Sequence, residues 1–269
     1  MTYPPRSSAP ARFLRRIRAT SPDTDRYPFD LPIVRHLTRA GGIEIPAGVT
    51  FLVGENGSGK STLVEAVAVA AGLNAEGGSQ NFRFATRATE SKLGEHLTLA
   101  WGISKPRTRF FVRAESYYNV ATETERLGPE QLRAMGGVSP HARSHGESFV
   151  DLMRHRFLAN GLYLLDEPES ALSPQGCMAV LARLAELVRQ NCQILVATHS
   201  PILLALPGAT ILEIRETGEI SEVTYDEAMP VRLTRSFLAD PDRYLRYLTE
   251  PEQHEGAQDI PPGRATFGR

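Results

Sequence analysis

Short runs of apolar residues alternate with amphipathic segments over most of the chain. A short apolar run between turn residues is typical of a buried strand, and apolar positions three and four apart are typical of a helix face. These patterns predict strands at Val49–Val53, Leu162–Leu165, Gln193–Thr198 and Ala209–Glu213. They predict helices at Lys60–Ala71, Ser148–Phe157, Pro174–Gln190 and Pro201–Leu206. Strands that alternate with helices indicate an α/β fold with a mostly parallel central sheet flanked by helices.

Further strand patterns lie outside this alternation, at Phe13–Ala19, Leu97–Trp101 and Arg109–Arg113. In Phe13–Ala19, apolar residues alternate with arginines, which is the period of a strand with one buried face. We therefore expect an antiparallel strand portion beside the parallel sheet. The stretch at about 80–160 is expected to form a small helical lobe.

Composition at the two ends sets the expected domain boundaries. Residues 1–11 are rich in Pro, Ser and Ala, and residues 250–269 are polar, so both ends are expected to be disordered. Residues 21–32 are rich in proline and are predicted to form a loop, and Leu233–Leu248 is predicted to be one helix. A single domain is therefore expected at 12–249.

Composition narrows the class of protein without identifying a function. The 269-residue chain is 41% hydrophobic and 23% charged, with a formal net charge of -1, so no overall field favours nucleic acid or an anionic membrane. Its cysteines, Cys177 and Cys192, fit no short metal-ligand spacing and are expected to pack as small apolar side chains. No apolar run approaches the roughly 20 residues of a membrane span, and no signal-peptide core is visible. A cytoplasmic protein is expected.

The segment from Gly54 to Ser61 reads GENGSGKS and matches the phosphate-binding pattern G-x-x-x-x-G-K-[ST]. Glycines let the backbone turn its N–H groups inward, and the helix predicted to begin at Lys60 points its positive end at bound phosphates. Lys60 is expected to bind the β- and γ-phosphates of ATP, Asn56 to approach the γ-phosphate, and Ser61 to ligate Mg²⁺. The predicted nucleotide-binding residues of this loop are Gly54, Glu55, Asn56, Gly57, Ser58, Gly59, Lys60, Ser61 and Thr62.

Residues 162–167 read LYLLDE, an apolar strand that ends in two acids. Open α/β sheets bind ligands at the carboxyl ends of their strands, so both acids are expected to lie near the phosphate loop. Asp166 is expected to hold Mg²⁺ through its water shell, and Glu167 to orient or deprotonate an attacking water. The loop and the acid pair together predict ATP hydrolysis.

With these motifs, residues 45–215 resemble the ABC ATPases. The resemblance implies that His199, in ATHSP, is the switch histidine that contacts the γ-phosphate and the catalytic carboxylate. It aligns ESALS, residues 169–173, with the loop after the acid pair, where Ser173 replaces the family's aspartate. Gln80 is the candidate for the family's glutamine loop, and hence for a further metal contact, although it follows the phosphate loop unusually closely.

The segment SHGES, residues 144–148, lies where ABC ATPases carry their LSGGQ signature. Ser144 matches the serine and Gly146 the second glycine, whereas His145 and Glu147 depart from the pattern. In ABC proteins this loop caps a helix and donates to the γ-phosphate bound by the other subunit. The resemblance therefore implies that Ser144 and Gly146 contact ATP, and that two copies of the chain form a homodimer when ATP binds.

Longer runs also look like a narrower group of small, stand-alone bacterial ATPases of the AAA/ABC type. These runs are GGSQNFRFATRATES, LYLLDEPESALSP and ATHSPILL. The fold of that group resembles the heads of RecF and structural-maintenance-of-chromosomes (SMC) proteins. The resemblance keeps open a RecF/SMC-like repair ATPase, and nucleic-acid phosphates would then be contacted by basic residues at Arg12, Arg15, Arg16 and Arg18, with Arg83 and Arg87 further on.

Two further alternatives use the same phosphate loop. The first is the ATP-binding subunit of an ABC transporter, although the short segment at 80–144 and the lack of a transmembrane segment count against it. The second is a small-molecule kinase, which is disfavoured because Glu167 and His199 suit water activation better than an acceptor alcohol. Contact with the adenine is assigned to no motif, and its candidates are Tyr27, Phe29 and Arg12.

Overall fold

The computed structural model describes residues 11–20, 26–75, 77–78, 92–114 and 145–249. The strands are β1 (Leu14–Ala19), β2 (Ile43–Glu44), β3 (Val49–Gly54), β4 (Leu97–Trp101), β5 (Thr108–Arg113), β6 (Gly161–Asp166), β7 (Gln193–Ala197), β8 (Thr210–Ile214) and β9 (Ile220–Val223). The helices are α1 (Pro32–Arg39), α2 (Lys60–Ala70), α3 (His145–Arg156), α4 (Pro174–Arg189), α5 (Pro201–Leu204), α6 (Met229–Ala239) and α7 (Pro241–Thr249). Short 3-10 turns lie at Lys92–His96 and Pro168–Ala171.

Within the described residues, the strands form two sheets. The larger has six strands in the order β5-β6-β7-β3-β8-β9, and the smaller has three in the order β2-β1-β4. All neighbouring strands from β5 to β8 are parallel, whereas β9 is antiparallel to β8 and the small sheet is antiparallel throughout. The predicted mostly parallel central sheet and the antiparallel portion are both confirmed.

The central strands are buried on both faces. Every residue of β3, β6 and β7 is buried, which is typical of parallel strands covered by helices on both sides. Successive side chains point to opposite faces, so Phe51 joins the apolar cluster that includes α3 and α4, and Leu52 joins the cluster that includes α1 and α2.

The register of the parallel strands brings their carboxyl ends to one edge. Arg113 pairs with Asp166, Asp166 with Ala197, and Leu52 with Ala197. The residues that follow β3, β6 and β7 therefore emerge side by side, which is where ligands bind in open α/β sheets.

A buried amide links the small sheet to the large one. The side-chain oxygen of Gln193 on β7 accepts the N–H of Leu14 at 2.7 Å, and its nitrogen donates to the carbonyls of Leu14 at 2.8 Å and Pro46 at 2.7 Å. Gln193 is 1% exposed, so these bonds satisfy polar groups that water does not reach.

Two helix predictions need correction. The helix predicted at Ser148–Phe157 begins three residues earlier, at His145, and its first turn carries Glu147, where an acid favours the helix dipole. The single helix predicted at Leu233–Leu248 is two helices, because Pro241 cannot continue α6 and disfavours helical backbone at the residue before it. Asp240 Oδ1 then accepts the N–H of Arg243 at 3.1 Å and caps α7.

Some elements lie in segments for which no element was predicted. Helix α1 starts at Pro32, the last residue of the predicted loop, and buries Ile33, Val34 and Leu37 on one face. Proline is favourable at a helix start because the missing N–H would have no helical partner there. Strands β2 and β9 were also not predicted, since β2 has only two residues and β9 carries the polar Ser221 and Glu222 instead of an apolar run.

Two compact units make up the chain, residues 1–231 and residues 232–269. The first holds both sheets, and the second holds the later part of α6 together with α7. The predicted single domain at 12–249 stays a prediction. Among the described residues, no helix combines the length and the apolar character needed to cross a membrane.

Candidate functional site

The loop between β3 and α2 has the geometry of a phosphate-binding loop. Gly59 caps α2 with a φ of 92°, and a Cβ there would lie 2.6 Å from Cγ2 of Ile33. Only glycine satisfies both the left-handed backbone and this close approach. The first turn of α2 therefore begins directly at the loop and directs its N–H groups toward it.

Lys60 is buried against the loop that it follows. It is 3% exposed, and its Nζ donates to the carbonyls of Gly54 at 3.0 Å and Glu55 at 2.9 Å. Burial lowers the pKa of Lys60, while the carboxylates of Glu167 and Asp166 oppose this shift. The ammonium group is thus held between the loop and the acid pair.

A cleft of about 250 Å³ opens beside the loop. It is lined by Tyr27, Leu31, Asn56, Gly57, Gly59, Lys60, Ser61, Thr62 and Glu167. Most of the predicted loop residues therefore share one cavity with the predicted catalytic acid. Tyr27 and Leu31 had no motif to mark them as part of it.

Tyr27 is the one adenine candidate that lines this cleft. It is 68% exposed, and its hydroxyl lies 3.4 Å from Oγ1 of Thr62. Phe29 is instead buried and packs edge-on against His96. Arg12 is held by the carbonyl of Ile45 and by the carboxylate of Glu44.

Asp166 ends β6 and is 3% exposed. Its Oδ2 lies 2.9 Å from Nε of Arg113, and the same guanidinium lies 3.0 Å from Oε2 of Glu65 on α2. The other oxygen, Oδ1, is buried and has no hydrogen-bond partner among the described residues. Neither Arg113 nor Glu65 was predicted as a site residue, and the only sequence signal for Arg113 is a basic residue at the end of a strand.

Glu167 has a left-handed backbone, with a φ of 46°. This conformation is unusual for a residue other than glycine and is often found at functional sites. The N–H of Glu167 donates to the carbonyl of Ala197 at 2.9 Å, which fixes the turn against the end of β7. Its side chain is 35% exposed, so the carboxylate borders the open cleft.

His199 follows β7 and faces Glu167. Its Nε2 lies 3.7 Å from Oε1 of Glu167, beyond hydrogen-bond distance. Burial, with a further contribution from Lys60, lowers the pKa of His199 to about 4, although Asp166 opposes the shift. The imidazole is therefore neutral at pH 7.

Glu169 connects the acid pair to the histidine segment. Its Oε1 accepts the hydroxyl of Thr198 at 2.8 Å and the N–H of His199 at 2.5 Å. The sequence marked Glu169 only as the first residue of ESALS, and its contacts with residues 198–199 could not be read from spacing. Glu169 thus connects the turn after β6 to the segment that follows β7.

Polar atoms near the loop fit a phosphate ligand with its metal ion. Four of them are buried and have no hydrogen-bond partner among the described residues: Ser58 Oγ, Asp166 Oδ1, Glu169 Oε2 and His199 Nε2. Buried polar atoms normally have partners, because an unmade hydrogen bond costs about 1–3 kcal/mol. The hydroxyl and a protonated imidazole nitrogen can donate to phosphate oxygens, and the two carboxylate oxygens can accept from metal-bound water.

The remaining predicted residues lie apart from this cluster or outside the described residues. Ser144 and Gln80 are outside the described residues, so their roles stay predictions. Gly146 lies in the first turn of α3. Ser173 caps α4, with its Oγ accepting the N–H of Gly176 at 3.2 Å, which gives a helix-capping reason for serine at this position.

The arginines of the first strand are partly neutralised. Glu44 forms ion pairs with Arg12 and with Arg16, whereas Arg15 and Arg18 are exposed. In both pairs, Glu44 offsets positive charge that the binding of nucleic-acid phosphates would need. Contact with nucleic acid stays a prediction.

A larger groove, of about 520 Å³, shares no lining residue with the cleft. Its charged lining is mixed, with Arg35 and Arg39 opposite in sign to Glu216 and Glu219. This balance does not favour a phosphate, so we place the candidate site at the smaller cleft.

The fold and the site together define a P-loop nucleotide-binding protein. Two AAA-type family models match the chain, one described as "AAA domain" over residues 35–123 and one as "AAA domain, putative AbiEii toxin, Type IV TA system" over residues 146–205. The first segment includes the phosphate loop, and the second includes Asp166, Glu167 and His199. These matches are consistent with a P-loop ATPase of the ABC/AAA type, as the sequence motifs predicted.

Solved structures with distant similarity include both ABC and SMC proteins. The SMC head domain from Thermotoga maritima is 18% identical, with 68% of this chain and 92% of that chain covered and a TM-score of 0.37. cbiO1 from Clostridium perfringens, part of the ABC transporter complex cbiONQ, is 18% identical over 78% and 90%, with a TM-score of 0.42. A nucleotide-free ATP-binding cassette from an ABC transporter is 15% identical over 77% and 90%, with a TM-score of 0.40. No curated protein gave a significant match.

Proposed function

We propose that the chain binds ATP with Mg²⁺ and hydrolyses it to ADP and phosphate. The observation that carries this proposal is the meeting of Lys60, Asp166, Glu167 and His199 at the carboxyl ends of β3, β6 and β7. A phosphate loop alone supports binding. The acid pair and the histidine add groups that can act on water.

Phosphate binding rests on the backbone of the loop and on Lys60. The N–H groups at the start of α2 and the ammonium group of Lys60 both favour the negative charge of the phosphates. Ser61 and Asp166 would hold Mg²⁺, which supplies electrostatic stabilisation of the charge that builds up on the phosphates. Tyr27 offers the adenine an exposed aromatic face at the rim of the same cleft.

Water activation is assigned to Glu167. Its carboxylate would take a proton from the attacking water as the water oxygen forms a bond to the γ-phosphorus and the bond to the ADP oxygen breaks. The neutral His199 can carry a proton on Nε2 and donate it in a hydrogen bond to the γ-phosphate, without a charge of its own to neutralise. The left-handed backbone of Glu167 keeps the carboxylate at the cleft.

We further propose that a second copy of the chain completes the site. The carboxylate of Glu167 is 35% exposed, so water has access to the cleft of a single copy. Closing such a site strengthens its electrostatic interactions and limits side reactions. The resemblance to ABC ATPases assigns this role to Ser144 and Gly146 of the partner copy.

Phosphate release and nucleotide binding, measured on the same samples, test the proposal. We expect wild-type chain to release phosphate with Mg²⁺-ATP, Glu167→Gln to bind ATP but release little, and Lys60→Ala to bind weakly. Light scattering of Glu167→Gln with and without ATP tests the dimer. Unchanged phosphate release in Glu167→Gln would remove this residue as the catalytic base, and a mass that stays monomeric with ATP would remove the dimer.

A further inference from the structure

Arg113, the last residue of β5, joins carboxylates from two other elements. Its Nε lies 2.9 Å from Oδ2 of Asp166 on β6, and a terminal nitrogen lies 3.0 Å from Oε2 of Glu65 on α2. The side chains of Asp166, Glu65 and Arg113 are 4%, 12% and 22% exposed. The guanidinium therefore connects the helix behind the phosphate loop with the strand that carries the acid pair.

The charges of this cluster bear on metal binding. Two carboxylates and one guanidinium leave a single net negative charge, and Arg113 already contacts one oxygen of Asp166. Lys60 adds a second cation that interacts with Asp166. A divalent ion arriving without phosphates would meet an Asp166 carboxylate that these two positive groups already neutralise, although the carboxylates of Glu167 and Glu169 also lie near Lys60. Salt screens little of the repulsion from the two cations where the groups are buried.

We propose that Arg113 is a built-in counter-cation that keeps free divalent ions from Asp166 and makes metal binding depend on the phosphates of a nucleotide. This inference rests on the proposed function, in which Asp166 serves the Mg²⁺ that accompanies ATP. Arg113 binds Oδ2, while Oδ1 is buried without a hydrogen-bond partner among the described residues. Arg113 thus orients one oxygen, and the other is the one that we assign to the metal ion or its water.

The phosphates reverse the balance of charge. A bound nucleotide brings several negative charges beside Lys60, and these outweigh the two cations that repel a lone metal ion. Arg113 is a positioning residue in this scheme, because it acts on the metal ion through Asp166. The expected benefit is a site that stays metal-free until its nucleotide arrives.

Titration of the nucleotide-free, full-length chain with Mn²⁺, followed by the electron paramagnetic resonance signal of free Mn²⁺, tests the proposal. We expect weak binding in wild type and at least about tenfold tighter binding in Arg113→Gln, because one positive charge near the ion is gone. Arg113→Lys keeps the charge and is expected to bind as wild type does. Asp166→Asn added to Arg113→Gln should abolish the gain, which places the ion at Asp166.

Two matched variants separate the charge effect from damage to the fold. Arg113→Gln with Glu65→Gln removes one charge of each sign, so the cluster keeps its net charge and Asp166 still loses its counter-cation. It is therefore expected to fold even if Arg113→Gln fails to fold, and to gain affinity for Mn²⁺. Arg109→Gln alters an arginine on the same strand, which donates to the carbonyl of Ala71 at 2.9 Å, and should leave Mn²⁺ binding unchanged.

Wild-type affinity in a folded Arg113→Gln or in the folded double variant would overturn the proposal, as would an equal gain in Arg113→Lys or Arg109→Gln. A parallel titration with ADP tests the nucleotide site separately. Failure of ADP to bind would count against the proposed function, whereas the nucleotide-free titration judges Arg113 alone.

Discussion

The two halves of the candidate site are built in different ways. The phosphate half, from Gly54 to Ser61, is one continuous segment. The groups that we assign to phosphate binding there are mostly backbone N–H groups, together with a lysine that is bound to loop carbonyls. The acid half gathers side chains from β5, β6 and β7 and holds them through Arg113 and Glu169. The first half depends on backbone shape and the second on pairs of side chains, so we expect mutations to separate binding from turnover.

The largest effect is expected from Glu167→Gln. A positioned acid or base contributes about 10²–10⁴-fold to a rate, so phosphate release should fall by that factor while ATP affinity stays near wild type. Steady-state phosphate release and binding of a fluorescent ATP analogue give the two values. A parallel loss of binding would mean that the halves are not separable.

Lys60→Ala is expected to weaken nucleotide binding at the phosphate half. A hydrogen bond to a charged group is worth about 1.5–3 kcal/mol, so nucleotide affinity should fall roughly 10–100-fold. The Nζ also supports the loop carbonyls of Gly54 and Glu55, so the loss should appear for ADP as well as for ATP. Calorimetric titration with both nucleotides checks this, and Lys60→Arg is the control that keeps the charge.

The acid half should also make stability depend on pH. The pKa of His199 is about 4 in the folded chain, against about 6.5 when unfolded, so the unfolded chain binds the proton more tightly between these values. The contribution of neutral His199 is complete above pH 6.5 and is lost as pH falls toward 4, by about 1–3 kcal/mol. Denaturant unfolding at pH 7.5 and 4.5 should show a smaller pH difference in His199→Gln than in wild type. Equal differences would contradict a half-buried imidazole that is kept neutral in the folded chain.

Glu169→Ala is expected to give the smallest effect. The variant loses the bonds to Thr198 and His199, which orient the histidine, together with Oε2, which is placed to accept from metal-bound water, so turnover should fall roughly tenfold with a smaller change in ATP affinity. Glu169→Gln keeps an acceptor oxygen and should recover part of the loss. A drop in ATP affinity equal to the drop in turnover would show that Glu169 supports the phosphate half instead.

The same contrast explains what could be predicted from the sequence. The loop residues are contiguous, so one motif and the flanking apolar pattern sufficed to place Lys60 and Ser61 at the start of a helix. Asp166 and Glu167 were also marked by the strand before them. Arg113 and Glu169 were missed as functional residues, because their partners lie 53 and 29 or 30 residues away in sequence and only strand register brings them together.

Helix boundaries failed for local reasons. The polar residues before Ser148 suggested a loop, yet they continue α3 back to His145. The apolar period across Leu233–Leu248 continued through Asp240 and Pro241, whose capping chemistry divides it into two helices. Apolar periodicity reports the buried face of a segment, while single capping residues decide where helices start and stop.

The buried amide of Gln193 has a consequence for the synthesis of the chain. Its bonds to Leu14 join residues 179 apart, so β1 cannot complete its buried contacts until β7 has left the ribosome. At about 5–20 residues per second, that delay is roughly 10–40 s. During this interval β1 can pair with β4, but the N–H and carbonyl of Leu14 stay hydrated, so the buried link between the two sheets closes only late in synthesis.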